Sequence, residues 1–189
     1  MKGTLSLDFA SVFRFLVETL QQKRIDFALV GGLALGVSGI ARATQDIDLL
    51  IAKEDAPKLK ALLLSHGYEL LYESKDVANF VHPIAGGGRI DFLYAHRTYA
   101  RTMLEHAEVK PVLGGQYQVK VLRIEDQIGM KVQSSSNDPL RYHQDMADIE
   151  ALMQVHRCTL DLKRIKVYFE LFDRGKDFET LRSRIQDAS

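Results

Sequence analysis

Cysteine is nearly missing from this chain: Cys158 stands alone among 189 residues. That excludes an internal disulfide framework and fits a reducing compartment. Net charge is missing too, because 25 Lys and Arg balance 25 Asp and Glu. No global field draws the chain onto nucleic acid or an anionic membrane, so any such contact must come from a local patch. Long hydrophobic runs are also absent. The longest, Phe27 to Ala41, is cut by four glycines and falls short of the ~18 residues that a membrane span needs. The N-terminal apolar residues are spaced helically and mixed with Asp8, Arg14 and Glu18, unlike a signal peptide. The expectation is a cytoplasmic protein without a membrane partner.

Several motifs are missing as well. There is no Walker A loop and no dinucleotide-binding Gly-x-Gly-x-x-Gly. The six histidines show no metal-ligand spacing. An EF-hand is excluded, since Asp46-x-Asp48 is followed by Leu50 with no glycine or distal Glu at the required offsets.

What is present is a hydrophobic content of 46%, enough for a real core. The length suits one domain, or one with a small helical appendage. Helical spacing marks Leu7 to Gln22, with Phe13, Leu16, Val17 and Leu20 on one stripe. Phe27 to Val30 reads as a strand, Gly31-Gly32 as a turn, Leu33 onward as a short helix, and Asp46 to Ile51 as a second strand. A helix follows Pro57 and stops at Gly67. Short strands are expected at Tyr68 to Tyr72 and Asn79 to His82. Gly86-Gly87-Gly88 is a turn into the strand Arg89 to Tyr94. A helix at Thr98 to His106 precedes a hairpin-like return around Gly114-Gly115 into Tyr117 to Leu122. From there the chain reads as helical: Ile124 to Ser134, Pro139 to His156 with Asp138 as N-cap, and Leu160 onward. This pattern predicts an α/β or α+β fold. Residues 1–122 would form a core with a small mixed sheet flanked by helices, and 123–189 a helical C-terminal region.

Three acids carry the chemistry. Side chains alternate across a strand, so Asp46 and Asp48 share one face and Ile47 points to the other. Two same-face carboxylates repel, and Asp is depleted in strands. A cation between them resolves both problems. Asp91 lies inside Ile90-Asp91-Phe92 and faces the pair if the two strands are neighbours. The flanking Leu49-Leu50-Ile51 and Phe92-Leu93 argue against a merely solvated edge strand. Three such acids form a hard, oxygen-only site suited to Mg²⁺, or two Mg²⁺ roughly 4 Å apart, with Mn²⁺ as the substitute ion. Gly31 and Gly32 let the backbone approach a ligand closely, and the helix start offers N–H groups to an anion. A phosphate cradle beside a divalent site means phosphoryl or nucleotidyl transfer.

Val30-Gly31-Gly32, thirteen residues, Asp46-Ile47-Asp48, then Ile90-Asp91-Phe92 resembles the DNA polymerase beta-like nucleotidyltransferase superfamily. The fuller string GGLALGVSGIARATQDIDLLI is similar to the small bacterial branch that includes abortive-infection toxin-like nucleotidyltransferases. The resemblance implies that Asp46 and Asp48 ligate metals, and that Asp91 ligates one and activates the acceptor hydroxyl. It also implies that Gly31, Gly32 and the Arg42 to Thr44 loop hold the triphosphate of an NTP. The toxin-like branch further carries a helical Lys and an Arg-Asp-x-x-Asp segment. Here these correspond to Lys131 and Gln144-Asp145-Met146-Ala147-Asp148, with Gln144 in the place of the arginine.

Lys131 extends the apolar face of Ile124 and Ile128, from which it reaches a phosphate or snorkels at the rim of the core. Arg141, Asp145, Asp148 and Leu152 share a stripe beside Tyr142, Met146, Ile149 and Met153, which is expected to be core. Arg141 and Asp145 then read as an i,i+4 pair on a solvated face, or as catalytic groups. Lys163, Arg164, Lys166, Arg174, Lys176, Arg182 and Arg184 form either a solvated face or a patch for an RNA acceptor such as tRNA. Two functions follow. One is an enzyme moving NMP from an NTP (ATP, GTP or CTP) to an RNA 3′ end, a protein or a small molecule, acting alone or within a toxin–antitoxin pair. The other is a non-catalytic partner-binding protein that keeps the fold.

Overall fold

The computed structural model describes residues 9–83 and 88–187. The expected helix start at Leu7 and two members of the glycine turn, Gly86 and Gly87, lie outside them. The chain separates into two compact units, one of Met1–Val37 with Arg42–Leu122, the other of Ser38–Ala41 with Arg123–Ser189.

The first unit runs α1 (Phe9–Gln22), β1 (Phe27–Leu29), α2 (Gly31–Val37), β2 (Ile47–Ala52), α3 (Ala56–Ser65), β3 (Glu69–Glu73), β4 (Val77–Val81), β5 (Arg89–Ala95), α4 (Thr98–Glu105), β6 (Glu108–Val112) and β7 (Tyr117–Val121). Its strands form one mixed sheet in the order β3-β4-β5-β2-β1-β7-β6. β2 pairs with β5 and β1 with β7 in parallel, and the other neighbours are antiparallel. Helices flank this sheet, and no strand follows Val121 among the described residues; the expected fold class is the one observed. The sequence reading placed only a hairpin return at β6. That strand carries Pro111 and sits at the sheet edge, where a residue without an N–H is tolerated.

Alternation decides the site. Ile47, Leu49 and Ile51 of β2 join Ile90, Phe92 and Tyr94 of β5 in one buried cluster with Phe13, Leu16 and Leu20 of α1 and Leu59 and Leu63 of α3. The residues between them, Asp48 and Asp91, therefore belong to the opposite face. Asp46 falls one residue before β2 and keeps the same parity.

The second unit contains α5 (Ile124–Asn137), α6 (Tyr142–Val155), α7 (Leu162–Leu171) and α8 (Gly175–Asp187). Asp138 caps the short 3-10 turn before α6, its carboxylate accepting from the Leu140 N–H at 3.0 Å. The helical run expected from Leu160 onward is instead two helices, broken where Asp173 takes φ 57°. The buried face of α6 also differs from expectation. Asp145, Asp148, Ile149, Leu152 and Met153 are buried, whereas Tyr142 and Met146 are only partly so. Asp145 does pair with Arg141 at 3.5 Å, but it is 1% exposed and not on a solvated face. Its burial is balanced by Lys131, whose Nζ lies 3.0 Å from Asp145 Oδ1 and 2.6 Å from Asp148 Oδ2. A paired acid can count as core, and apolar periodicity does not register it.

Part of the basic cluster is structural. Arg164 donates from Nε to Oδ1 and from a terminal nitrogen to Oδ2 of the buried Asp126, both at 3.0 Å, and the Tyr168 hydroxyl donates to Oδ1 at 2.6 Å. Burial, with the Asp126 carboxylate second, pushes the Tyr168 phenol well above its usual range. Arg174 is held by Asp177, Ser135 and the Tyr142 ring. Lys166, Arg182 and Arg184 are exposed and lie near Glu170, Glu179 and Glu150. Asp126→Ala is expected to destabilise this unit by about 2–4 kcal/mol, because it strands a half-buried guanidinium and a buried hydroxyl. A urea-unfolding midpoint unchanged from wild type would show that the network is dispensable.

Candidate active site

β1 runs directly into α2, and the Val30 N–H donates to the Asp48 carbonyl at 3.1 Å. This holds the start of α2 against β2. Gly31 takes φ +61°, and a Cβ there would stand 2.1 Å from Asp48 Oδ2. No side chain fits between that backbone and the carboxylate. A Cβ at Gly32 would meet Thr44 Cβ at 2.7 Å. The Thr44 hydroxyl in turn donates to the Asp46 carbonyl at 3.1 Å. Gly31 thus lies against Asp48 and Gly32 against Thr44, which is tied to Asp46, while Arg42 is exposed.

The parallel pairing of β2 with β5 sets Asp48 opposite Asp91, and the antiparallel pairing of β4 with β5 sets Asn79 opposite Asp91. The three side chains occupy adjacent strands at one level of the sheet. Asn79 Nδ2 donates to Asp91 Oδ1 at 2.6 Å. From two residues upstream, Arg89 places Nε 2.9 Å and 3.0 Å from the two Asp91 oxygens, with a terminal nitrogen 3.6 Å from Asp46 Oδ2. The Arg89 backbone N–H reaches Asp46 Oδ1 at 3.2 Å. That approach needs Gly88, at φ +69°, where a Cβ would fall 1.8 Å from the Gln45 carbonyl oxygen.

Sequence reasoning missed Asn79 and Arg89. The signal for Arg89 was available: in Arg-Ile-Asp it shares its parity with Asp91. Asn79 required the strand register, which a single sequence does not supply.

Burial pushes the Asp91 carboxyl above its usual range. The Asn79 hydrogen bond and the Arg89 charge oppose that rise, and the Asp46 charge adds to it. A raised carboxyl pKa means that the folded state favours the neutral acid. Its contribution to stability is complete below the unfolded value, about 4, and is lost as pH climbs through the folded value. Metal-free Asp91→Asn should therefore gain melting temperature over wild type as pH rises from about 4 to neutrality. Parallel melting curves across that range would contradict this account.

The donor set suits a hard divalent cation: carboxylate oxygens only, on neighbouring strands, with the Gly31 backbone close against Asp48. Among the described residues, no three His, Cys, Asp or Glu side chains converge as a metal cluster. The guanidinium of Arg89 takes up Asp46 and Asp91 instead. In the second unit, the Lys131 amine is held by Asp145 and Asp148, and the Gln144 side-chain amide donates to Asp148 Oδ1 at 3.3 Å. Among the described residues, no helix is long and apolar enough to cross a membrane.

Solved structures share the mixed-sheet fold that carries these residues. ANT(2″)-Ia, an antibiotic-resistance factor, aligns over 94% of this chain and 95% of its own, with 14% identity and a TM-score of 0.60. A nucleotidyltransferase-like antigenic protein from Paracoccidioides brasiliensis aligns over 92% of this chain and 91% of its own, with 17% identity and a TM-score of 0.57. The lincosamide antibiotic adenylyltransferase LnuA aligns over 78% of this chain and 98% of its own, with 13% identity and a TM-score of 0.51. No curated protein matches the chain by sequence. Residues 14–188 match the model of the family described as nucleotidyl transferase AbiEii toxin of the type IV toxin–antitoxin systems. The chain belongs to that family.

Proposed function

We propose that this chain transfers NMP from an NTP to an acceptor hydroxyl and releases pyrophosphate. The observation that carries the reading is the register that sets Asp48 opposite Asp91, with Asp46 two residues upstream and Gly31 leaving no side chain in front of Asp48. Asp46 and Asp48 would hold divalent metal, Mg²⁺ or Mn²⁺, with Asp91 as a further ligand to one ion. Bound there, the metal supplies charge neutralisation for the triphosphate. Gly31, Gly32, Thr44 and Arg42 would position the phosphates. Asp91 accepts the proton of the acceptor hydroxyl, whose oxygen bonds to the α-phosphorus as the α–β anhydride bond breaks. Asn79 fixes the Asp91 carboxylate for that task through its 2.6 Å hydrogen bond.

Family membership makes a cognate antitoxin part of this reading. The acceptor class stays open among an RNA 3′ end, a protein side chain and a small molecule. ANT(2″)-Ia, solved in complex with adenylyl-2″-tobramycin, illustrates the last class. The test is incubation of the full chain with each labelled NTP, Mg²⁺ and total cellular RNA, protein or small hydroxyl compounds. Label transfer and pyrophosphate release should appear together and vanish with a chelator. If no NTP gives pyrophosphate with Mg²⁺ or Mn²⁺ and any acceptor class, the non-catalytic partner-binding reading stands instead.

A further inference from the structure

We propose that Arg89 is the counter-ion of the acid row when no divalent cation is bound, and that such a cation enters by displacing its guanidinium from Asp46 and Asp91. This inference rests on the metal-dependent reading above. Three carboxylates brought together by two paired strands cannot all stay charged and unbalanced on a partly buried sheet face. The balance is visible. Arg89 contacts both oxygens of Asp91 within 3.0 Å and reaches Asp46 at 3.6 Å, with its backbone N–H on Asp46 as well. One planar fork therefore spans two of the three acids, which a lysine's point charge does not do.

Exposure makes the exchange feasible. The Arg89 and Asp46 side chains are 49% and 42% exposed, while Asp91 is only 13% exposed. The guanidinium can swing into water at small cost. Asp91 cannot be left without a cation nearby. Release of Arg89 and arrival of the metal are therefore one coupled event, and the arginine acts as a built-in competitor. Asn79 keeps Asp91 in place through the exchange, because its hydrogen bond comes from the opposite neighbouring strand. Arg89 is a positioning residue: it holds two acids in readiness and sets how tightly the site takes metal.

The experiment is a titration of the full-length chain with Mn²⁺ alone, comparing wild type with Arg89→Met and Arg89→Gln. Both variants should bind Mn²⁺ about fivefold to tenfold more tightly than wild type, since the competitor is gone. Without metal, both should melt at a lower temperature than wild type, and saturating Mn²⁺ should close that gap. Wild type supplies a readout that needs no variant. The Arg89 Nε–H signal in nuclear magnetic resonance should be protected from exchange in metal-free protein and lose that protection on adding Mg²⁺. Equal or weaker Mn²⁺ binding by the variants, or a protected Nε–H at saturating Mg²⁺, overturns the role of Arg89 and leaves the transfer reading untouched. Mn²⁺ binding by neither wild type nor variants overturns both.

Discussion

Asp48→Asn is expected to abolish NMP transfer while leaving the fold intact. Asp48 stands in the middle of the acid row, with Gly31 in front and Asp91 opposite. On its proposed role as a central metal ligand, its loss removes several kcal/mol of charge stabilisation, on the order of 10³-fold in rate. The fold should survive because the core packs on the other face, where Ile47, Leu49 and Ile51 reside. Asp91→Asn separates the roles. It should slow transfer by ~10²–10⁴-fold through loss of the base while weakening NTP–Mg²⁺ binding only modestly, whereas Asp48→Asn loses both. Calorimetric titration of Mg²⁺–NTP into each variant, paired with single-turnover rates, reads the difference. Wild-type turnover by Asp48→Asn would sink the assignment. Equal binding losses in the two variants would make Asp91 a ligand alone.

Gly31→Val should be nearly as severe. Two costs combine at that position, the left-handed backbone and the 2.1 Å approach to Asp48 Oδ2. A β-branched residue at φ +61° is strained before any clash, and the side chain then pushes the carboxylate aside. Stability should fall by about 2–4 kcal/mol, and NTP binding should disappear below the unfolding temperature. Gly32→Val should also weaken nucleotide binding, but there Thr44 must give way, and a threonine in a loop yields more readily than the ligand itself. Gly36→Ala provides the control. A Cβ there meets nothing within 4 Å, and replacing this glycine in the last turn of α2 should leave stability unchanged or raise it by up to about 0.5 kcal/mol. Thermal melts and nucleotide titrations on all three decide the matter. Retention of wild-type NTP affinity by a folded Gly31→Val would move the phosphate cradle elsewhere.

Much of the first unit was legible because its signals are local and periodic. Alternation in Asp46-Ile47-Asp48 and Ile90-Asp91-Phe92 put the acids on one face and the apolar residues on the other, and the sheet keeps that split. Pro57 marked the start of α3, which places it in the first turn. What stayed hidden depends on pairing between distant segments. Asn79 gains meaning only when β4 lies antiparallel to β5, and β6 reads poorly because an edge strand tolerates Pro111 and little apolar pattern. The α6 stripe was misphased for a related reason. Asp145 and Asp148 look like surface residues until Lys131, a helix earlier, is found between them.

The parallel pairing of β2 with β5 also has a kinetic meaning. α3, β3 and β4 intervene in the chain between these strands, so the acid row does not form until that whole stretch has closed upon itself. Closing a long loop costs entropy before the contacts return anything, whereas the β3–β4 and β4–β5 hairpins are local and can form early. A chain in which β5 has not yet formed lacks the paired acid row. On the proposed function, the reactive centre would be complete only once β2 has docked on β5. Slowing the docking of β2 onto β5 should then delay the appearance of transfer activity even though every proposed site residue is present in the chain.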